Sequence, residues 1–310
     1  FRFNGKVVWN ITQHLKVQGT AGAELNWFTF EDYKAPTTPG YESGYLQNNN
    51  FRNRMYNFEL LALYNNSWGN FDFNATLGGN LYKVNNQTIV TTAKDMKIRD
   101  VVALMSFNEV SVEPYSYRKQ INSIYGAVNL GWKHMLYFDA TLRGDQSSTL
   151  PISNNMYIYP SFSGSFVFSE LLKLGDKLPY GKVRMSWAQV GSDTDPYQLG
   201  LVYTKSKFAY PGYTIGYISN GTIPNKDLKP TKTNSFEMGL ELKFLKNRIG
   251  LDFTYYSQLS KNQIMGMASS STSGYGYRLI NAGEIENKGV EIALNTRPIQ
   301  TKDFSWDLNF

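Results

Sequence analysis

Apolar and polar residues alternate along much of this chain, and the alternation is long. From Leu15 the odd positions read Leu15, Val17, Gly19, Ala21, Ala23, Leu25, Trp27. The even positions between them read Lys16, Gln18, Thr20, Gly22, Glu24, Asn26. Successive side chains of a strand point to opposite faces, so residues 15–27 predict a two-faced strand. It is longer than the roughly 5–6 residues usual in globular sheets. Phe71, Phe73, Ala75, Leu77, Gly79 and Leu81 repeat the pattern, as do Phe236, Met238, Leu240, Leu242 and Phe244, and Ile249, Leu251, Phe253 and Tyr255. Shorter copies lie at 124–132, 136–142, 162–168, 183–187 and 290–294. With 58–64 and both chain ends, about twelve strands are predicted. Helical periodicity is nearly absent; residues 168–174 can hold one turn.

The connections alternate as well. Tight turns are predicted at Gln13-His14, at Lys133-His134-Met135 and at 245–248, with moderate ones at 65–70, 170–181 and 296–303. Between them lie long polar segments at about 28–54, 83–121, 145–159, 192–232 and 258–286. A soluble sandwich or solenoid would alternate along its strands too, but has no reason to keep a short–long–short–long order. A transmembrane β-barrel does, because periplasmic turns are short and extracellular loops long. A spanning strand needs about 9–11 residues, every backbone group must pair, and one face meets lipid while the other meets the lumen. Glu24, Asp72, Asp139, Arg143, Glu237, Glu241, Asp252 and Glu291 all fall on the polar face of their strands. The fold class expected is therefore all-β, an antiparallel barrel segment. Trp68, Trp132 and Trp306 near short turns, and Tyr82, Tyr157, Tyr159 and Tyr255 toward loop ends, are expected in two interfacial girdles.

Composition sharpens this. The 310 residues are 42% hydrophobic and 15% aromatic but only 18% charged, with no Cys and two His. Mean hydropathy is −0.39, as expected when apolar and polar faces alternate. Absence of Cys excludes disulfides, thiol nucleophiles and Cys-ligated metal centres. Aromatic richness excludes a typical disordered chain. No run approaches the length of a transmembrane helix, and no signal peptide is legible. The chain starts at Phe1, and the strand-like run at 304–310 stops abruptly; these ends predict a piece of a longer protein. The net charge of +6 comes from dispersed Lys and Arg rather than one patch, so no nucleic-acid role is expected. Basic residues near turns and rims suit the phosphorylated headgroups of outer-membrane lipid and lipopolysaccharide.

The stretch Asn281-Ala282-Gly283-Glu284-Ile285-Glu286-Asn287-Lys288-Gly289-Val290-Glu291 resembles the NxGxIxNKGxE barrel motif of TonB-dependent outer-membrane receptors, in the form found in the SusC/RagA family of Bacteroidetes. Other segments are similar to that family: Asp139-Ala140-Thr141-Leu142-Arg143-Gly144-Asp145, Tyr159-Pro160-Ser161-Phe162-Ser163, Ser186-Trp187-Ala188-Gln189-Val190-Gly191-Ser192-Asp193-Thr194-Asp195-Pro196-Tyr197 and Asn225-Lys226-Asp227-Leu228-Lys229-Pro230. They are dense over about 120–296; residues 1–119 match in style and spacing. The resemblance implies a 22-stranded barrel with an N-terminal plug, a SusD-like lipoprotein lid outside, and TonB pulling on the plug. It implies import of oligosaccharides or peptides, with no enzyme activity and no cofactor. Residues 1–310 then read as one partial barrel domain without plug, TonB box or terminal strands. Rival readings are a TonB-dependent siderophore or haem receptor, whose loops would show chelate-binding Arg or His clusters, and a passive porin or adhesin.

Residue by residue, Asn281, Gly283, Asn287 and Gly289 suit turning backbone where a long loop re-enters a strand. Glu284, Glu286 and Lys288 are expected to pair at that rim, and the motif, with Ile285 and Glu291, reads as structural. His14 and His134 read as solvated turn residues rather than members of a Ser–His–Asp site. Asp193-Thr194-Asp195 begins like a calcium loop, but position twelve is Thr204 where an EF-hand needs Glu, so no metal is assigned. Tyr197, Tyr203, Phe208, Tyr210, Tyr213 and Tyr217 in one long loop, and Tyr275 and Tyr277 in another, offer rings that stack on sugar faces. Asp193, Asp195, Asn50 and Arg52 offer polar partners. Asn50, Arg52, Asp193, Asp195, Tyr197, Tyr210, Tyr213, Tyr275 and Tyr277 are thus the loop candidates for substrate binding.

Overall fold

The computed structural model describes residues 1–99, 101–172, 175–206, 211–213, 215–218 and 221–310. The period-two stretches become strands: β1 (Arg2–Asn10), β2 (Leu15–Lys34), β3 (Tyr45–Trp68), β4 (Phe71–Met96), β5 (Phe107–Trp132), β6 (Leu136–Ser147), β7 (Met156–Val167) and β8 (Tyr180–Ser192). After three short loop strands, β9 (Tyr203–Lys205), β10 (Gly216–Ile218) and β11 (Thr222–Ile223), come β12 (Thr231–Phe244) and β13 (Ile249–Lys261). Then follow β14 (Ile264–Ala268), β15 (Tyr277–Asn281), β16 (Glu284–Gln300) and β17 (Ser305–Asn309). Twelve of them form one sheet in the order β1-β2-β3-β4-β5-β6-β7-β8-β12-β13-β16-β17. The single helical turn predicted within 168–174 is present as α1 (Ser169–Leu172); residues 173 and 174 lie outside the described residues.

The first hairpins correct the sequence reading. The polar segments 28–54 and 83–121 are largely strand, since β2 runs to Lys34, β3 starts at Tyr45, β4 runs to Met96 and β5 starts at Phe107. β4 and β5 are 26 residues each, more than twice the roughly 9–11 that cross a membrane. Beyond the lipid both faces are wet. The apolar–polar contrast therefore fades while the backbone ladder continues.

The chain divides into two compact units. The first comprises Phe1–Val7, Gly19–Glu59 and Asn80–Ile121. Its small core is Leu46, Ala93, Met96 and Phe107, with Tyr33 packed against it. The second comprises Val8–Gln18, Leu60–Gly79 and Asn122–Phe310. In the second unit the register gives the two faces directly. Leu136, Phe166, Val183, Leu240, Phe253 and Ile292 form one row across six strands. The adjacent row is Tyr137, Ser165, Arg184, Gly239, Thr254 and Glu291. A soluble sandwich would bury the apolar row. Here Leu136, Phe253 and Ile292 of that row are 47%, 38% and 63% exposed, and Leu60, Leu77 and Ile124 elsewhere in the unit are each 61% exposed. A contiguous apolar face of this extent belongs against lipid.

At the short-turn end, Trp68 packs on Phe73 at 6.0 Å and Phe71 on Trp132 at 6.4 Å. The Lys133 ammonium sits 4.9 Å over the Trp132 ring, which suits an interfacial girdle with a cation at headgroup level. Tyr82, Tyr157 and Tyr159 do not join a girdle. Tyr157 is buried, Tyr159 bonds Asp145 and Arg143, and Tyr82 donates to the Met55 sulfur at 3.5 Å. Their position in period two puts them on the polar face. His134 sits in the β5–β6 turn with φ of 54°, and His14 packs 6.2 Å from Tyr64 in the β1–β2 turn.

Candidate functional site

The polar face of the second unit is a wall of hydrogen-bonded clusters. On β6 the period-two residues Asp139, Arg143, Asp145 and Ser147 point one way. Asp139 accepts from Asn129 at 2.5 Å and from Ser163 at 2.8 Å. Arg143 donates to Asp145 at 2.9 Å, to Tyr159 at 3.1 Å and to Ser123 at 2.9 Å, with its guanidinium 5.1 Å over the Tyr125 ring. Further along, Arg184 of β8 donates twice to Asp252 of β13, both at 2.8 Å, and to Thr254 at 2.7 Å. This pair bridges over β12, where the intervening residue is Gly239, directly opposite Arg184.

Glycine at 239 is required by that crossing, since a Cβ there would stand 2.4 Å from Arg184 Nε. Gly239→Val is expected to push the guanidinium off Asp252 and lower stability by about 1–2 kcal/mol, the scale of charged hydrogen bonds on a partly wet face. Denaturant unfolding of the full receptor checks this. Gly289 plays the same part under Tyr256, whose hydroxyl would lie 2.8 Å from a Cβ. Thus Gly289 and Asn287, expected in turning backbone, are interior residues of β16 paired with Tyr256 and Gln258. Gly289 is there to let a ring lie across it.

The two longest connections meet. β11 pairs in parallel with β15, Thr222 with Tyr277 and Ile223 with Arg278, and β15 pairs with β14. The amides of Gly276 and Tyr277 donate to the Gly221 carbonyl, both at 2.9 Å. The segment 193–230 is thereby stitched to 262–283. Asn281 locks the junction: its Oδ1 accepts the Lys229 amide at 2.8 Å, and its Nδ2 donates to the carbonyls of Lys229 at 2.8 Å and Asn262 at 3.0 Å. Gly283, with φ of +82°, then turns the chain into β16. Lys288 pairs with Glu286 at 3.1 Å and Lys261 with Glu284 at 3.0 Å.

The sequence candidates fall out as follows. Asp193 is an anchor: Ser147 donates to its carboxylate, and Thr149 does so at 3.1 Å. Ser147 and Thr149 are buried, so this clasp fixes the start of the long loop to the β6–β7 connection. Asp195 is exposed, and among the described residues no group of three or more His, Asp or Glu gathers in metal-binding geometry. Tyr197, Tyr213 and Tyr277 are 65%, 75% and 53% exposed, on the stitched loops, with Tyr275 half-buried beside them in sequence. Phe208 and Tyr210 lie outside the described residues. Asn50 and Arg52 are strand residues of β3 in the first unit, lining a groove of about 500 Å³ with Trp27, Phe28, Thr29, Phe51 and Arg54. Sequence reasoning missed the partners Ser147, Lys229 and Asn262, and the β11–β15 pairing. The Asp145/Ser147 spacing on the polar face of β6 was the one available signal.

An antiparallel sheet with a lipid-type face, a polar hydrogen-bonded face and long connections at one end is the wall of an outer-membrane barrel. A family model described as "TonB dependent receptor-like, beta-barrel" matches residues 1–310, and the chain belongs to that family of outer-membrane receptors. It is 27% identical over 263 residues to TonB-dependent receptor P3 of Formosa agariphila, covering 81% of this chain and 26% of that protein. It is 29% identical over 204 residues to TonB-dependent receptor SusC of Bacteroides thetaiotaomicron, covering 63% of this chain and 20% of that one. A solved structure of the RagAB peptide importer superposes with a TM-score of 0.88 at 21% identity, over 99% of this chain and 35% of that chain. The chain therefore spans about a fifth to a third of these relatives, which are named as receptors and importers.

Proposed function

We propose that this chain is the wall and outer-loop part of an importer that captures a nutrient of the oligosaccharide or peptide class. A SusD-like lipoprotein closes over it outside, and TonB supplies the energy through a plug. The observation that carries the reading is the joined platform of 193–230 and 262–283, which presents Tyr197, Tyr213 and Tyr277 to solvent at the loop end of a TonB-dependent receptor wall. Exposed rings stack on the apolar faces of sugars or on peptide side chains. SusC and the RagAB peptide importer, among the similar proteins, support a nutrient over a metal chelate. The same support extends to a lipoprotein lid. Residues 1–310 form one partial barrel domain in this reading.

The test is growth of a deletion strain, complemented with the full receptor, on a panel of glycans and peptides. A double Tyr213→Ala, Tyr277→Ala receptor is expected to need roughly 30-fold more of the supporting nutrient for half-maximal growth, since each of the two lost ring contacts is worth about 1 kcal/mol. Growth independent of the receptor on every glycan and peptide, with iron-chelate growth dependent on it, would reject the reading.

A further inference from the structure

In the first unit, each of three neighbouring strands changes character at one level of the outward face. On β3 the even positions run Phe58, Tyr56, Arg54, Arg52, Asn50. On β2 the odd positions run Leu25, Trp27, Thr29. On β4 they run Leu81, Lys83. β3 lies between β2 and β4. The apolar band ends in an aromatic rim and is followed at once by three cations. Thr29 donates to Asn50 at 2.9 Å and Asn50 to Asn48 at 3.0 Å, which shows that these residues share a face. Arg52 and Lys83 are exposed and Arg54 half-buried. On β2 the next acid of the same parity, Glu31, lies farther out and accepts from Asn48 at 3.4 Å.

The level fits a lipid headgroup. Four residues separate Tyr56 from Arg52. At about 3.3 Å per residue and a tilt near 40°, Arg52 stands roughly 10 Å beyond the aromatic rim and Arg54 about half that. The headgroup region adds roughly 5–8 Å on each side of the hydrocarbon, so Arg54 stands within it and Arg52 at its outer edge, where a sugar headgroup projects. Guanidinium forks bond phosphate oxygens two at a time, and an ammonium adds a point charge. The groove floor supplies Asn50 and Thr29 for hydroxyls, and Trp27 an apolar wall.

We propose that Arg52, Arg54 and Lys83, with Trp27 and Asn50, form a site on the outer wall for the phosphorylated sugar headgroup of an outer-leaflet glycolipid. Asn50 and Arg52 then serve the lipid, not the imported nutrient. A soluble phosphate would lack the acyl chains that the apolar band below receives.

The experiment uses the full-length receptor extracted from outer membranes in mild detergent, with retained glycolipid measured by mass spectrometry. Heat-modifiable gel migration verifies the folded barrel. The triple variant Arg52→Gln, Arg54→Gln, Lys83→Gln is expected to retain at least about tenfold less phosphorylated glycolipid, given what each basic residue contributes near an anionic surface. Unaltered receptor offered enzymatically dephosphorylated glycolipid is expected to show the same loss, an arm that needs no variant. Equal retention by the triple variant, or equal retention of the dephosphorylated lipid, overturns the proposal. Loss of a co-purifying lipoprotein with lipid retained also overturns it and makes the face a protein interface.

Discussion

Ile292→Arg is expected to destabilise the full receptor by about 2–4 kcal/mol, the cost of a cation on the lipid face near the bilayer midplane. Ile292 lies opposite Phe253 and is 63% exposed. On the same face of β16, Lys288 lies four residues toward the loops and Thr296 four residues toward the turn. The spacing puts Ile292 in the middle of a span of about nine residues, the length that crosses the hydrocarbon. An arginine there cannot reach either interface without bending the strand or thinning the bilayer. At the next residue, Glu291→Gln on the polar face is expected to change stability by less than about 0.5 kcal/mol. Denaturant midpoints of both variants, folded into lipid vesicles, check the pair. Equal small effects would mean that β16 does not face lipid at Ile292, and the assignment of faces would fall with it.

How much of this was legible in the sequence follows from where water meets the chain. Residues 236–244 and 249–255 alternate because one face meets lipid, and there strand, register and face could all be read. The turns at Lys133-His134 and 245–248 could be read from the breaks between such runs. Residues 28–34, 45–54, 83–96 and 107–121 are paired strand, yet both faces there are wet or lightly covered, so the composition resembles a loop. The run Asn48-Asn49-Asn50-Phe51-Arg52-Asn53-Arg54 looked like a polar loop for this reason. Only its strand assignment reveals that Asn50, Arg52 and Arg54 share one side with Tyr56 and Phe58. The Ser147–Asp193 clasp joins residues 46 apart, and the β11–β15 pairing involves two residues from each side. Neither leaves a periodic trace. The motif around Asn281 drew attention to the right residue, but its partners at Lys229 and Asn262 are set by loop closure and cannot be inferred from spacing.

Asn281→Ala is expected to abolish most uptake while leaving the barrel folded. The Asn281 amide makes three hydrogen bonds, two to Lys229 and one to Asn262, and so ties the return of the second long loop to its own start and to the end of the first. Lys229 stands just before β12, Asn262 just after β13, and Asn281 at the end of β15. Removing the amide strands the Lys229 N–H and carbonyl. Thr231 Oγ1 still donates to the Asn262 carbonyl at 3.2 Å, so that group keeps a partner. The local cost is about 2–3 kcal/mol, the sum of modest net hydrogen bonds on a half-wet junction. That is small against a whole barrel but large for a loop platform, whose local opening free energy is of the same order. Protease cleavage within 193–230 and amide exchange at Gly276 and Tyr277 are expected to accelerate by about 30–100-fold. The unfolding midpoint of the barrel should stay within error. Asn281→Asp separates clamp from bulk: a carboxylate still accepts the Lys229 amide but faces two carbonyls with no proton to offer. It is expected to open the platform at least as much as alanine does. Full uptake by the aspartate variant would show that the donated bonds do not hold the loops together, and that the platform stands on the β11–β15 pairing alone.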